Sequence, residues 1–367
     1  MTDVAKAAGV SQSTVSMVLN KMSGARLSAA TRARVLAAAA GLGYRLTRPA
    51  VAPAATAAGT LAAAAGQMSG HASGHAPGHA PGHVIGYLVD EISTSPHPVV
   101  SVDGARDAAW EQGCVLQIAV TRGNPAQEAA ALAALLAQPA LLGIVYSTIF
   151  TRAVTLPEAL RTVPTVLLNC HDDSSRVPTV VPGEVAGGHA ATERLVQAGH
   201  RRIGFINGEP WMEAAQDRFK GYRRALATAD LPFDAALVRD GDWMSGTGFD
   251  ATLSLMSTTR PPTAIFCAND LMALGALEAL KQLGKRVPED VALIGYDDQE
   301  ISRHTHPPLT TMVLPNYEMG RAAVEALLAL VSQGAAAASG PVTTRRPLLK
   351  IDCPLVERET VVRPPAA

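Results

Sequence analysis

DVAKAAGVSQSTVSMVLN, residues 3–20, reads as a short helix, a tight turn and a second short helix. Asp3 opens the first helix, and Val4, Ala5 and Ala8 give it an apolar face. Gly9 supplies the permissive backbone for the turn, with Val10 tucked beneath it. Ser11 is a good N-cap for the second helix, where Val15, Val18 and Leu19 recur at helical spacing. Its outer face is left with Gln12, Ser13, Thr14, Ser16, Met17 and Asn20. Most of these are short hydrogen-bonding groups, suited to reaching base edges and phosphates from a helix in the major groove. An ordinary surface helix pair would show the same spacing, so the context decides between the two.

The context is partly charge. Residues 1–48 hold Lys6, Lys21, Arg26, Arg32, Arg34, Arg45 and Arg48 against the single acid Asp3. That segment is +6 while the whole chain is −1, so the rest carries −7. A basic head for a polyanion and an acidic body with another task follow from this split. A third helix is predicted after Ser28, its cap, with Val35, Ala38, Ala39 and Leu42 on the buried side and Gly41 and Gly43 marking its end.

Between Pro49 and Val89 there is no Asp, Glu, Lys or Arg. An Ala/Pro tract is followed by the repeat GHAS-GHAP-GHAP-GH, with histidines at 71, 75, 79 and 83. Residues 49–83 therefore read as a linker, since this composition buries no core and opposes regular helix. Spaced imidazoles also suit Zn, Ni or Cu, although no acid or thiol completes a ligand set. The four cysteines, Cys114, Cys170, Cys267 and Cys353, lie far apart and predict buried, reduced thiols. No secretory h-region precedes the first helix and no apolar run is long enough for a membrane span, so a cytoplasmic protein is expected.

From residue 84 short apolar runs alternate with helical patterns: VIGYLV (84–89), VLQIAV (115–120), LGIVYS (142–147), TVLLN (165–169), IGFIN (203–207), AIFCA (264–268) and VALIGY (291–296). Read as buried parallel strands, these predict an α/β body over 84–357 in two lobes, with 358–367 as a tail. Ligands of such sheets sit beyond the carboxyl ends of the strands. Asn269 and Asp270 follow one strand, Asp297 and Asp298 another, Arg218 opens the run RFKGYRRAL, and Trp243 stands in a polar loop. Carboxylates and amides pair with vicinal hydroxyls, a guanidinium offers forked donors, and an indole stacks on a sugar's apolar face. The plainer alternatives are a helix cap for Asn269, a solvated Asp298 and a core role for Trp243.

The opening segment resembles the headpiece of the LacI/GalR family of bacterial transcription regulators, through the run D-V-A-x-x-A-G-V-S-x-x-T-V-S-x-x-L-N. The later T-R-x-x-V and L-G-Y also match, through Thr31, Arg32, Val35, Leu42, Gly43 and Tyr44. In the body, INGEP…DRFKGYRRAL, GDW, FCANDLMALGALEAL and IGYDD…PPLTT resemble the family's effector-domain signatures in the expected order. The resemblance implies base contacts at Gln12, Ser13 and Met17, and places Thr31 and Arg32 in the DNA-binding set. Met17 stands where many members have arginine, leaving apolar contact such as that to a thymine methyl. It implies effector contacts at Arg218, Trp243, Asn269 and Asp297, with Asn169, Ser93 and Thr94 as weaker candidates. A stretch near 310–331 should return to the first lobe, placing Val324, Leu327, Leu328 and Val331 on one face for packing or for a dimer contact. The family's A-R-x-L hinge pattern falls on Ala50, Val51, Ala52 and Pro53, so its arginine and leucine are missing.

The expected fold is thus a helix-turn-helix headpiece (1–48) and a periplasmic-binding-protein-like body with parallel sheets. The expected function is a homodimeric repressor that binds a pseudo-palindromic operator in double-stranded DNA. A small effector, a sugar, would bind between the lobes and control it. No cofactor, resident metal, membrane contact or catalytic activity is expected; GTGFDA (246–251) is a weak match to a dinucleotide loop. A metal-responsive regulator using the histidine repeat and a sugar-binding transport protein are the alternatives.

Overall fold

In a computed structural model of the chain, the described residues are 2–10, 12–19, 28–42, 82–172, 177–336 and 348–364. The headpiece comprises α1 (Thr2–Ala8), α2 (Gln12–Leu19) and α3 (Ala29–Gly41). Gly9 takes φ +61° at the turn, the left-handed conformation that glycine adopts most readily. Val4, Val10, Val15, Val18 and Val35 meet in one small core, as their helical spacing requires. Ser28 caps α3: its side chain accepts a hydrogen bond from Thr31 N at 3.0 Å. Such a cap contributes about 1 kcal/mol. Leu42 corrects the expected buried face of α3. The helix ends at Gly41, and Leu42, its C-cap, is exposed. Ser11 and Asn20 lie outside the described residues, as does the family's hinge position at 50–53.

The first lobe is built from β1 (His83–Val89), α4 (His97–Glu111), β2 (Cys114–Val120), α5 (Pro125–Leu136), β3 (Leu141–Ser147), β4 (Thr165–Leu168) and β5 (Thr179–Pro182). In the second lobe the order is α6 (Glu184–Gln197), β6 (Ile203–Asn207), α7 (Glu213–Thr228), β7 (Val238–Asp240), α8 (Ser245–Met256), β8 (Ala264–Cys267), α9 (Asp270–Gln282), β9 (Ala292–Asp297), α10 (Ile301–His304) and β10 (Thr311–Val313). The chain closes with α11 (Asn316–Ala336), β11 (Leu348–Ile351) and β12 (Leu355–Val356). The two sheets run β11-β5-β4-β3-β1-β2 and β12-β10-β9-β8-β6-β7. Their pairings are parallel except for β12 against β10. The chain therefore crosses between lobes near Gly183, near Pro315 and between β11 and β12.

The seven expected strands are present. Unlike the other six, β2 is an edge strand and is not buried on both faces: Val115, Ile118 and Val120 are exposed. The return to the first lobe begins later than expected, because β10 still belongs to the second sheet. α11 then packs on the first lobe, with Val324 and Leu327 fully buried beside Ile85 and Val145. Each such side chain contributes about 1.5–3 kcal/mol by burial. Two boundaries also shift. His83, placed in the linker, is the first residue of β1. Thr360 and Val361, placed in the tail, are buried against the second lobe, where Thr360 Oγ1 donates to the Leu293 carbonyl at 2.6 Å.

Three helix pairs pack unusually closely, and glycines permit each approach. A Cβ on Gly104 would lie 2.0 Å from the Tyr317 carbonyl oxygen, across the α4–α11 contact. On Gly188 it would lie 2.5 Å from the Arg218 carbonyl oxygen (α6–α7), and on Gly275 1.9 Å from that of Ser245 (α8–α9). The α6–α7 approach matters most for the site, because it brings Glu184 alongside Arg218. The four cysteines are free and buried.

Candidate ligand cleft and headpiece face

The carboxyl ends of the strands in both sheets open onto one cavity of about 330 Å³. The first lobe contributes Thr94, His97, Phe150 and Asn169; the second contributes Glu184, Arg218, Trp243, Asn269 and Asp297. Three contacts join the lobes around it. His97 Nε2 lies 3.5 Å from Asp297 Oδ2, and His171 Nε2 lies 2.9 Å from Glu213 Oε2. Ile149 and Phe150 also pack on Met212 and Ala215, with the Phe150 and Trp211 rings edge to face at 5.7 Å.

Arg218 is the electrostatic centre. It is in the middle of α7, not at the start of a helix as expected, and it is 2% exposed. Its Nε and Nη2 donate to Glu184 at 2.7 and 2.8 Å, while Nη1 reaches the Ala268 carbonyl and lies 3.4 Å from Asp297. Its guanidinium also lies 3.7 Å from the Tyr296 ring centroid, a cation–π distance. Burial alone would lower the Arg218 pKa, but the Glu184 and Asp297 carboxylates together raise it above its ordinary value. For Asp297, burial pushes upward, and His97 and Arg218 overcome it to hold the carboxyl below the usual range. Asp270 behaves oppositely: burial, then the neighbouring Asp297 charge, push its pKa well up. It accepts from Thr311 Oγ1 at 2.5 Å and Gln299 N at 2.8 Å, which makes it a structural group behind the cavity wall.

Trp243 stands before α8, its Nε1 donating to Met212 S at 2.9 Å. The indole lies against Gly208, where a Cβ would come 2.0 Å from Cζ2. Asn269 fills both roles considered for it. It caps α9 by accepting from Met272 N at 2.9 Å, and its amide donates to the Trp243 carbonyl at 3.0 Å. Asn169 accepts from Thr151 Oγ1 at 2.6 Å and donates to the Thr148 carbonyl at 3.1 Å. Thr94 Oγ1 is buried at the cavity and has no hydrogen-bond partner among the described residues.

Of the expected effector residues, Arg218, Trp243, Asn269, Asp297, Asn169 and Thr94 line the cavity. Ser93 does not: it is exposed, and its N and Oγ donate to Glu91 Oε1 at 2.8 and 2.7 Å. Asp298 is ion-paired with Arg358 at 2.5 Å. His97, Phe150, Glu184, Met212 and Gln299 were missed by sequence reasoning. The rule that picked Asn269 looks for polar groups just past strands, so it passes over the apolar Phe150, three residues past β3; nothing in the sequence marks Glu184. GTGFDA lies inside α8, so it forms no phosphate loop.

In the headpiece, α2 carries Gln12, Ser13, Ser16 and Met17. Thr14, also on α2, is buried and donates to Glu209 Oε1, in the loop after β6, at 2.7 Å. Thr31 shares a 2.9 Å hydrogen bond with the Ser28 hydroxyl, and Arg32 is half-buried. The histidine repeat at 71–79 is outside the described residues. Among the described residues no cluster of His, Cys, Asp or Glu could hold a metal ion, and no helix is long and apolar enough to cross a membrane.

A helix-turn-helix headpiece on a two-lobed, sugar-sensor-like body defines a class of regulator, and known proteins agree. Residues 1–46 match the bacterial regulatory proteins of the lacI family, and residues 192–361 match the periplasmic binding protein-like domain. The chain is 33% identical over 240 residues to the HTH-type transcriptional repressor PurR of Aliivibrio fischeri strain MJ11, spanning 64% of this chain and 71% of that one. A LacI-family regulator from Rhizobium etli superimposes with TM-score 0.68 at 28% identity, over 77% of this chain and 99% of the other. The complex of the transcriptional regulator CelR with cellobiose superimposes with TM-score 0.60 at 28% identity, over 98% of each chain. The chain belongs to the LacI family of bacterial transcription regulators: a DNA-binding headpiece joined to an effector-binding body.

Proposed function

We propose that this regulator is a homodimeric repressor whose hold on its operator is set by a sugar bound between the lobes. The convergence of Arg218, Trp243, Asn269 and Asp297 with Asn169 and Thr94 on one cavity carries this reading. An indole and a phenyl ring offer apolar faces, while amide, carboxylate and hydroxyl groups offer the partners that vicinal hydroxyls need. The solved relative in complex with cellobiose supports a saccharide ligand. This chemistry is that of binding, not catalysis. A ligand bridging both lobes favours one closure state, and its differential affinity shifts DNA binding by about 1–3 kcal/mol of coupling.

On DNA, Gln12, Ser13, Ser16, Met17 and Asn20 read base edges, and Thr31 and Arg32 contact the backbone. Thr14 reaches DNA only when its hydrogen bond to Glu209 breaks. Two headpieces on a twofold dimer suit a pseudo-palindrome. For the dimer contact, α4 and the edge strand β2 offer Val99, Val100, Trp110, Val115 and Ile118, large apolar side chains that are exposed in the monomer.

A thermal-shift screen of sugars and phosphosugars, followed by mobility shifts on the operator, tests the reading. A hit should raise the melting temperature by mass action and be abolished by Asp297→Ala. Binding that survives loss of both Asp297 and Arg218 would sink the cleft assignment. Mobility shifts with divalent metal, before and after deletion of residues 70–81, which leaves β1 whole, separate this reading from control by metal.

A further inference from the structure

Resting on the reading of the cleft as the effector site, we infer that the effector is an uncharged saccharide of more than one ring, and that phosphorylated and carboxylated ligands are excluded. The first argument is charge. Among the described residues, Arg218 and His97 are the basic side chains that line the inner cavity. All three nitrogens of the Arg218 guanidinium are already engaged, by Glu184, Asp297 and the Ala268 carbonyl. His97 Nδ1 lies 3.1 Å from Asn316 Nδ2 and Nε2 lies 3.5 Å from Asp297 Oδ2, so both ring nitrogens already face partners. Glu184 and Asp297 thus hold both basic groups, and among the described lining residues no unpaired cation is left for an incoming anion. An uncharged ligand meets hydrogen-bonding groups and apolar faces there, including the Thr94 hydroxyl, which has no hydrogen-bond partner among the described residues.

The second argument is shape. The inner cavity, about 330 Å³, is at the low end of small-molecule sites, roughly 300–1,000 Å³. It shares Thr151, Pro182, Glu184 and Ala214 with a second compartment of about 650 Å³. That outer compartment adds the carboxyls of Asp172, Glu213 and Asp217 against Lys350 and His171. A chain of linked rings passes from the inner into the outer compartment, whereas a single ring fills the inner one alone. The acidic outer wall extends the rejection of anions along the whole path.

Calorimetric titration of the full-length chain tests this, with neutral di- and trisaccharides (cellobiose, maltose, trehalose, lactose, cellotriose), their monosaccharides, and the anionic counterparts cellobionate and trehalose 6-phosphate. At least one neutral oligosaccharide should bind, at least 10-fold more tightly than its monosaccharide. Any tested anionic counterpart of a binder should be at least 100-fold weaker. Glu184→Gln frees the guanidinium and should narrow the neutral-over-anionic preference at least 10-fold. Asp217→Asn, in the half-buried outer wall, should narrow it in the same direction and serves if Glu184→Gln does not fold. An anion or a monosaccharide binding more tightly than every neutral oligosaccharide overturns the inference, as does failure of all of them to bind. If such an anion is lost in Asp297→Ala, the cleft assignment stands and only the ligand class falls. If it still binds, the cleft assignment itself falls.

Discussion

Asn169, Trp243 and Asp297 line the cavity with φ of 57°, 69° and 105°, in the left-handed region that residues other than glycine rarely adopt. Each sits at or just past the end of a strand or in a cleft loop, where the chain must turn sharply to aim a side chain into the cavity. Such conformations persist where the surroundings over-determine them and gather at functional sites. Polar residues at strand ends made Asn269 and Asp297 legible in the sequence. Their conformations were not, and neither was Glu184, whose part depends on a helix 34 residues from Arg218. Gly208 is another such position, since its missing side chain is the space that the Trp243 indole occupies. Gly208→Ala should displace the indole, weaken ligand binding at least 10-fold and change the tryptophan fluorescence of the free protein. Unchanged affinity would argue against ring stacking on Trp243.

The helix pairs α4–α11, α6–α7 and α8–α9 each approach backbone to backbone at glycine. Helical periodicity predicts which face of each is apolar, but it does not set how near two axes come. Gly275→Val would drive a side chain into the Ser245 carbonyl. The expected destabilisation is at least about 1–3 kcal/mol, read as a lower urea midpoint with an unchanged slope. His200 shows a similar gap between sequence and structure. Its sequence position beside Arg201 and Arg202 suggests an exposed basic helix exit, yet the ring is buried. Nδ1 lies 3.0 Å from the Thr263 hydroxyl and Nε2 2.9 Å from the Val362 carbonyl. Burial lowers its pKa; the Val362 hydrogen bond opposes this, and the Arg194 charge adds to the lowering. An unfolded histidine takes its proton near about pH 6.5. As pH falls below that, the unfolded chain binds the proton before the folded one does. Stability present above that pH is lost as pH falls toward the lower folded pKa. Urea midpoints should therefore decline between pH 7.5 and 5.5, and His200→Gln should flatten the decline.

The whole molecule is two lobes that meet across a cleft, with a small basic headpiece at one end of the chain and an apolar strip along α4 and β2. Trp110 is the most exposed large apolar side chain of that strip, at 66%. Trp110→Glu combined with Ile118→Glu should convert a dimer to a monomer in sedimentation and weaken operator binding, while leaving ligand binding in the cleft in place. A dimer that survives both changes would place the interface elsewhere.

Local patterns in the chain were enough to establish the headpiece helices, seven of the strands, the parallel α/β class and most of the polar groups at strand ends. These depend on short-range periodicity, capping and residue type, which are written along the sequence. The lobe exchange, the edge position of β2, the burial of His200 and the neutralisation of Arg218 by Glu184 and Asp297 arose only on folding. Each depends on which distant segments pack together, because charge compensation and burial are set by distance in space and not by separation along the chain.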